Sequence, residues 1–143
     1  MDEKLIFRYK IDGSNFTSAG EASVSVKKKL RQLGFAPEII RQVSIAMYEG
    51  EINMVIHAHG GLAEVVVTSD KIEIILDDNG PGIPDVELAM QEGFSTAPDN
   101  IRSLGFGAGM GLPNMKRYTD TMEIFTEIGK GTKVIMSVNI PAQ

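Results

Sequence analysis

The sequence predicts an α+β fold, a two-layer α/β sandwich in which a mixed, mainly antiparallel sheet carries helices on one face. Three observations lead to it. Residues 63–68 and 71–76 read as strands joined by the short Ser69-Asp70 connection, and 121–127 and 132–138 as strands joined by Gly129-Lys130-Gly131. A single strand and two long helical patterns precede the first pair. No Pro/Ser-rich linker, repeat or low-complexity stretch divides the 143 residues, so residues 1–143 are expected to form one domain.

Each element has a local cause. Leu5-Ile6-Phe7-Arg8-Tyr9-Lys10-Ile11 is rich in strand formers and ends at the turn cluster Asp12-Gly13-Ser14-Asn15. A helix is expected from about Ser18 to Leu33, with Val24, Val26, Leu30 and Leu33 as its apolar face and Gly34 as its stop. The Lys27-Lys28-Lys29 run reads as solvated helix surface. Pro37-Glu38 opens a second helix. Ile39, Ile40, Val43, Ala46, Met47, Gly50 and Met54 recur at helical spacing as far as His57-Ala58, before His59-Gly60-Gly61 ends it. Asp77 to about Gly111 is mostly loop with a short helix near Val86–Gln91, and such a long irregular stretch usually carries function. A helix resumes near Gly109–Tyr118. The eight methionines read as core or gap filler.

Composition narrows the function. Apolar content of 43% and charged content of 23% are ordinary for a globular protein. There is no cysteine, which excludes disulfides and thiolate metal sites, and two histidines make a His-rich zinc centre a poor fit. The net charge of −5 argues against broad nucleic-acid binding. No apolar run approaches the roughly 18 residues of a membrane helix. Met1-Asp2-Glu3-Lys4 lacks the basic and apolar regions of a secretory leader, so a cytoplasmic location is expected.

Three groups of residues carry chemistry. In Leu104-Gly105-Phe106-Gly107-Ala108-Gly109-Met110-Gly111-Leu112 four glycines alternate and then a helical pattern begins. Close backbone approach, exposed N–H groups and a helix N-terminus suit a phosphate chain. No P-loop or dinucleotide fingerprint is present. Asp77-Asp78-Asn79-Gly80-Pro81-Gly82-Ile83-Pro84 sets carboxylates beside a tight Gly/Pro turn, where a carboxylate can accept from an exocyclic amine such as that of adenine. Taken alone, this reads as a surface turn with solvated acids. Glu49 and Asn53 share a helix face. An Asn oxygen suits Mg²⁺ and a Glu can take a proton from a hydroxyl. His57 lies one turn on and reads as a packing or hydrogen-bonding residue; Glu51 lies off that face and is not assigned.

The ordered set Glu49-x-x-x-Asn53-x-x-x-His57, Asp78-x-Gly80-x-Gly82, Gly105-x-Gly107-x-Gly109-x-Gly111 and Gly131-Thr132 resembles the ATP-binding boxes of the GHKL superfamily. That superfamily includes gyrase, Hsp90, histidine-kinase ATP domains and anti-sigma factor serine kinases. The compact layout, with Gly93-Phe94-Ser95-Thr96 and Lys116-Arg117, is similar to the anti-sigma and switch-protein serine kinase group. The resemblance implies the Bergerat fold, ATP and Mg²⁺ as cofactors, and transfer of the γ-phosphate to a Ser or Thr of a STAS-domain, anti-anti-sigma-like partner. Glu49 would be the general base and Asn53 the Mg²⁺ ligand. Asp78 would meet the adenine amine, Gly80 and Gly82 would shape the base pocket, and Thr132 would support it. Gly105, Gly107, Gly109 and Gly111 would form the lid and phosphate cradle, with Ser95, Thr96 and Arg102 near the nucleotide in roles that spacing does not assign. A sigma factor or other regulatory protein is a second partner the resemblance allows, and it leaves a homodimer open. Two other functions stay open: a non-catalytic module gated by ATP or ADP, and, third, a histidine-kinase-like catalytic fragment. Gly50 departs from helix preference at a cost of roughly 1 kcal/mol relative to Ala, which close packing against nucleotide or sheet would explain.

Overall fold

The structure, a computed structural model, describes residues 4–14, 19–58, 60–91 and 111–141. Its strands are β1 (Leu5–Asp12), β2 (Gly60–Val67), β3 (Lys71–Asp78), β4 (Thr121–Glu127) and β5 (Gly131–Asn139). Its helices are α1 (Glu21–Gln32), α2 (Pro37–Ala58), α3 (Val86–Ala89) and α4 (Gly111–Arg117). The strands lie in the order β1-β2-β3-β5-β4. The sheet expected to be mixed is antiparallel at every pairing among the described residues. The cause is connectivity. Two hairpins supply β2–β3 and β4–β5, and β5 then inserts between β3 and β4 instead of continuing outward.

Period-two alternation fixes which face is covered. Ala63, Val65 and Val67 on β2 share the helix side with Ile72, Ile74 and Leu76 on β3 and Val134, Met136 and Val138 on β5, and all are buried. Helix α2 packs on them with the apolar set its spacing predicts: Ile39, Ile40, Val43, Ala46, Met47, Gly50 and Met54. Glu51, Ile52 and Val55 are buried as well. The helix is therefore enclosed on more than one side, by sheet, α1 and α4.

Helix α1 differs from expectation. It begins at Glu21 after Gly20, whose φ is 101°, and not near Ser18. Val24 and Leu33 are exposed, and the buried face is Ala22, Ser23, Val26 and Leu30. Spacing by four from Ala22 selects this face once the start is known. The stop at Gly34 is as read. With φ 84°, Gly34 N–H donates to Arg31 O at 3.0 Å and Phe35 N–H to Leu30 O at 3.2 Å, a Schellman pair. Of the three lysines, Lys27 and Lys28 are exposed. The third, Lys29, is a packing residue: its Nζ lies 4.7 Å from the Phe7 ring centre and 5.1 Å from that of Tyr9, and donates to Tyr9 Oη at 3.1 Å.

Candidate active site

Helix α2 delivers the first group. Glu49, Asn53 and His57 follow at intervals of four, so one stripe carries all three. Glu49 is half-buried. Loss of water raises its carboxyl above the ordinary value, opposed by a hydrogen bond from the Asn114 side chain. Burial holds the His57 imidazole below its ordinary value, which favours the neutral ring at pH 7. Asn53 Nδ2 donates to Met115 Sδ at 3.8 Å. With Nδ2 so engaged, Oδ1 is the amide atom with the chemistry for the expected Mg²⁺ role. Among the described residues there is no cluster of three or more His, Asp or Glu side chains that could hold a metal. One amide oxygen is still an adequate protein contribution for an ion that keeps waters and phosphate oxygens.

The glycine between Glu49 and Glu51 has a packing cause. A Cβ on Gly50 would collide with Leu76 Cδ1 of β3 and lie 3.4 Å from Met115 Cε. Of the two causes anticipated, contact with the sheet is present. Gly111, the first residue of α4, is equally tight, since a Cβ there would fall 2.8 Å from Asn53 Nδ2 and 2.9 Å from its Oδ1. Helix α4 therefore starts against the Asn53 amide and runs past Glu49.

The second group gathers where β3 ends and β5 begins. Asp78 Oδ1 accepts from Gly80 N–H at 2.9 Å and from Thr132 N–H at 3.0 Å. One carboxylate oxygen thus closes the turn after β3 and ties it to β5. Gly80 lies against the end of α2, where a Cβ would be 2.7 Å from Ala58 Cα. Gly82 has φ 84° and packs on the β4–β5 turn, where Gly129 N–H donates to Pro81 O at 2.9 Å. Thr132 is buried, and its hydroxyl pairs with Thr126 Oγ1 at 2.9 Å. Thr126 Oγ1 in turn accepts from Ile83 N–H at 2.8 Å.

The structure therefore brings Glu49 and Asn53 together on one stripe, with Gly111 against Asn53. It joins Asp78, Gly80 and Thr132 by hydrogen bonds, with Gly82 in the same turn. Gly105, Gly107 and Gly109 lie outside the described residues, as do Ser95, Thr96 and Arg102. Sequence reading missed three contributors. Thr126 faces Thr132 directly across the β4–β5 hairpin, so strand register could have found it. Asn114 and Met115 touch α2 through long-range packing that leaves no local signal.

Residues 38–142 match the family model described as "Histidine kinase-, DNA gyrase B-, and HSP90-like ATPase". The chain belongs to that family. The resemblance read from Glu49 to Thr132 is borne out, and the domain is of an ATP-binding type. The chain is 31% identical over 142 residues to an anti-sigma F factor of Clostridium perfringens (strain SM101 / Type A), covering 95% of this chain and 96% of that one. It is 32% identical over 108 residues to the serine/threonine-protein kinase RsbT of Bacillus subtilis (strain 168), covering 73% and 75%. Among solved structures, the mycobacterial sensor histidine kinase MprB superposes with a TM-score of 0.52 at 16% identity over 94% of this chain and 97% of that one, a likeness of fold. This ATPase-family fold is the α+β arrangement expected from the sequence. None of its described helices is long and apolar enough to cross a membrane.

Proposed function

We propose that this protein is an ATP-dependent serine/threonine protein kinase of the anti-sigma and switch-kinase type. It transfers the γ-phosphate to a Ser or Thr of a STAS-domain partner in a partner-switching pathway in the cytoplasm. The observation that carries this is the half-buried Glu49 carboxylate, one turn from Asn53 on a helix clamped by α4. A merely nucleotide-sensing module has no need of a desolvated carboxylate at that place. The names of the two relatives, an anti-sigma F factor and a serine/threonine-protein kinase, support the same reading.

In this reading Asp78 accepts from the adenine amine through Oδ2, since its backbone hydrogen bonds among the described residues fall on Oδ1. Gly80 and Gly82 keep the base pocket open, and the Thr132 hydroxyl, oriented by Thr126, supports the base. Asn53 Oδ1 would hold Mg²⁺, which neutralises phosphate charge when bound. The phosphate-cradle role that the family motif implies falls to Gly105, Gly107, Gly109 and Gly111, of which Gly111, beside Asn53, is among the described residues. Glu49 takes the proton of the acceptor hydroxyl as its oxygen bonds to the γ-phosphorus and the bond to the leaving ADP breaks. Desolvation makes Glu49 a stronger base than an exposed carboxylate.

The test is incubation with labelled ATP, Mg²⁺ and a STAS-domain partner encoded beside this gene. The expected result is serine or threonine phosphorylation that disappears in Glu49→Ala while ATP binding persists, and ATP binding that weakens at least about tenfold in Asp78→Asn. Tight ATP binding with no transfer to any such partner would favour the nucleotide-gated module instead.

A further inference from the structure

The residue that faces Glu49 has no role in the reading above. Asn114 sits on α4, three residues after Gly111, so both project from the same side of that short helix. Opposite them, Glu49 and Asn53 project from one side of α2. The contacts pair off. Gly111 meets the Asn53 amide, Met115 Sδ accepts from Asn53 Nδ2, and the Asn114 side chain hydrogen-bonds Glu49. Three residues of α4 thus meet two of α2, and each member of the Glu49–Asn53 pair has a partner on α4.

The direction of the Asn114 amide is set by its other neighbour. Arg117 Nη1 donates to Asn114 Oδ1, a long bond at 3.5 Å. A guanidinium has only donors and an ionised carboxylate only acceptors. An amide placed between them has one orientation that satisfies both, with Oδ1 toward Arg117 and Nδ2 toward Glu49. A chain of donors therefore runs from Arg117 through Asn114 to Glu49.

We infer that Asn114 is a positioning residue for Glu49: its side-chain Nδ2 donates to the Glu49 carboxylate and aims it, while Arg117 holds the amide in that orientation. This rests on Glu49 being the base of the proposed kinase, and it adds to that reading the group that controls the base. Burial pushes the Glu49 proton on, and the Asn114 bond pushes it off. The net effect is upward, so the carboxyl is more basic than an exposed one, and the Asn114 bond limits the rise.

Asn114→Asp tests this with little change in size. It keeps an acceptor for Arg117 and replaces the donor facing Glu49 by a second carboxylate oxygen. Asn114→Ala removes the donor without adding charge. The first readout is the titration of the Glu49 side-chain carboxyl by ¹³C NMR in the nucleotide-free protein, assigned by comparison with Glu49→Gln. The midpoint is expected to rise in Asn114→Ala, by about one pH unit, and further in Asn114→Asp. The second is the pH profile of phosphoryl transfer, whose acid limb should move to higher pH by the same amount. At a fixed pH on that limb kcat falls about tenfold in Asn114→Ala, and recovers toward wild type as the pH is raised. KM for ATP should change less than about twofold. A Glu49 midpoint that stays put in both variants overturns the inference. Absence of transfer in the wild type would overturn the kinase reading and leave the NMR titration to decide the role of Asn114.

Discussion

Glu49 and Glu51 stand two residues apart on α2 and point to different sides of it, since two helical steps turn the chain by about 200°. Their surroundings are opposite in kind. Glu51 is 2% exposed and fully engaged. Its Oε2 accepts from Gly20 N–H at 2.9 Å and Ala22 N–H at 3.2 Å, and its Oε1 from Ser23 N–H at 3.0 Å and Ser23 Oγ at 2.6 Å. Helix α1 has no capping side chain of its own, so Glu51 performs that task from a distance. Glu49 is half-buried, and among the described residues the hydrogen bond that bears on its proton comes from Asn114. One carboxylate is committed to structure; the other is the base of the proposed kinase. Gly50 between them lets α2 sit close enough to β3 for both arrangements to hold. Burial alone does not mark a catalytic acid or base; the number of donors around the carboxylate separates the two.

Five predictions press on this difference, from the largest expected effect down. Glu49→Gln should lower the phosphoryl-transfer rate by at least about 100-fold with ATP affinity preserved, measured by single-turnover transfer and calorimetry. Glu51→Ala should act on stability, because it strands three backbone N–H groups and a hydroxyl. We expect a loss of about 3–4 kcal/mol, a fall in Tm of roughly 10 °C, readable by calorimetric melting. Gly50→Ala gains roughly 1 kcal/mol of helix propensity but drives a methyl into Leu76. Overpacking of about 1–3 kcal/mol should win, giving a net loss of about 1 kcal/mol in denaturant unfolding.

The smallest effects are in pH dependence. The Glu49 carboxyl is held above its ordinary value of 4.5 in the folded state. Its contribution to stability is therefore complete below that value and is lost as pH rises through the folded-state value. Glu49→Gln should melt above wild type at pH 7, with the difference shrinking as the pH falls toward 4.5. His57 has the opposite slope. Its folded-state value lies below the ordinary 6.5, so its contribution is present above 6.5 and is lost as pH falls through the folded-state value. Melting series from pH 7 to 5 should be flatter in His57→Gln than in wild type.

Local chemistry accounts for what could be read in advance. Helix α2 runs from Pro37 to Ala58 as its Pro start and paired-glycine stop require, and β4 from Thr121 to Glu127 as its alternation requires. Asp78 and Thr132 were singled out separately, and one carboxylate oxygen joins them. Periodicity misplaces the apolar face of α1 because Val24 and Leu33 are hydrophobic yet exposed, and only the true start at Glu21 selects Ala22, Val26 and Leu30. The role of Glu51 is hidden from the sequence for a different reason. Its donors lie 28 to 31 residues upstream, on an element whose approach no local pattern announces. Asn114 is legible only when α4 is seen against α2. In each of these cases the missing information is a contact between elements, not the identity of an element.

The most direct test of the division of labour on α2 is the rate constant for γ-phosphate transfer to a STAS-domain partner at saturating ATP, compared in wild type, Glu49→Gln and Glu51→Gln at a temperature where all three remain folded. The account predicts that Glu49→Gln loses at least about two orders of magnitude, whereas Glu51→Gln stays within about tenfold of wild type despite a lower Tm. Transfer at an undiminished rate in Glu49→Gln would contradict it.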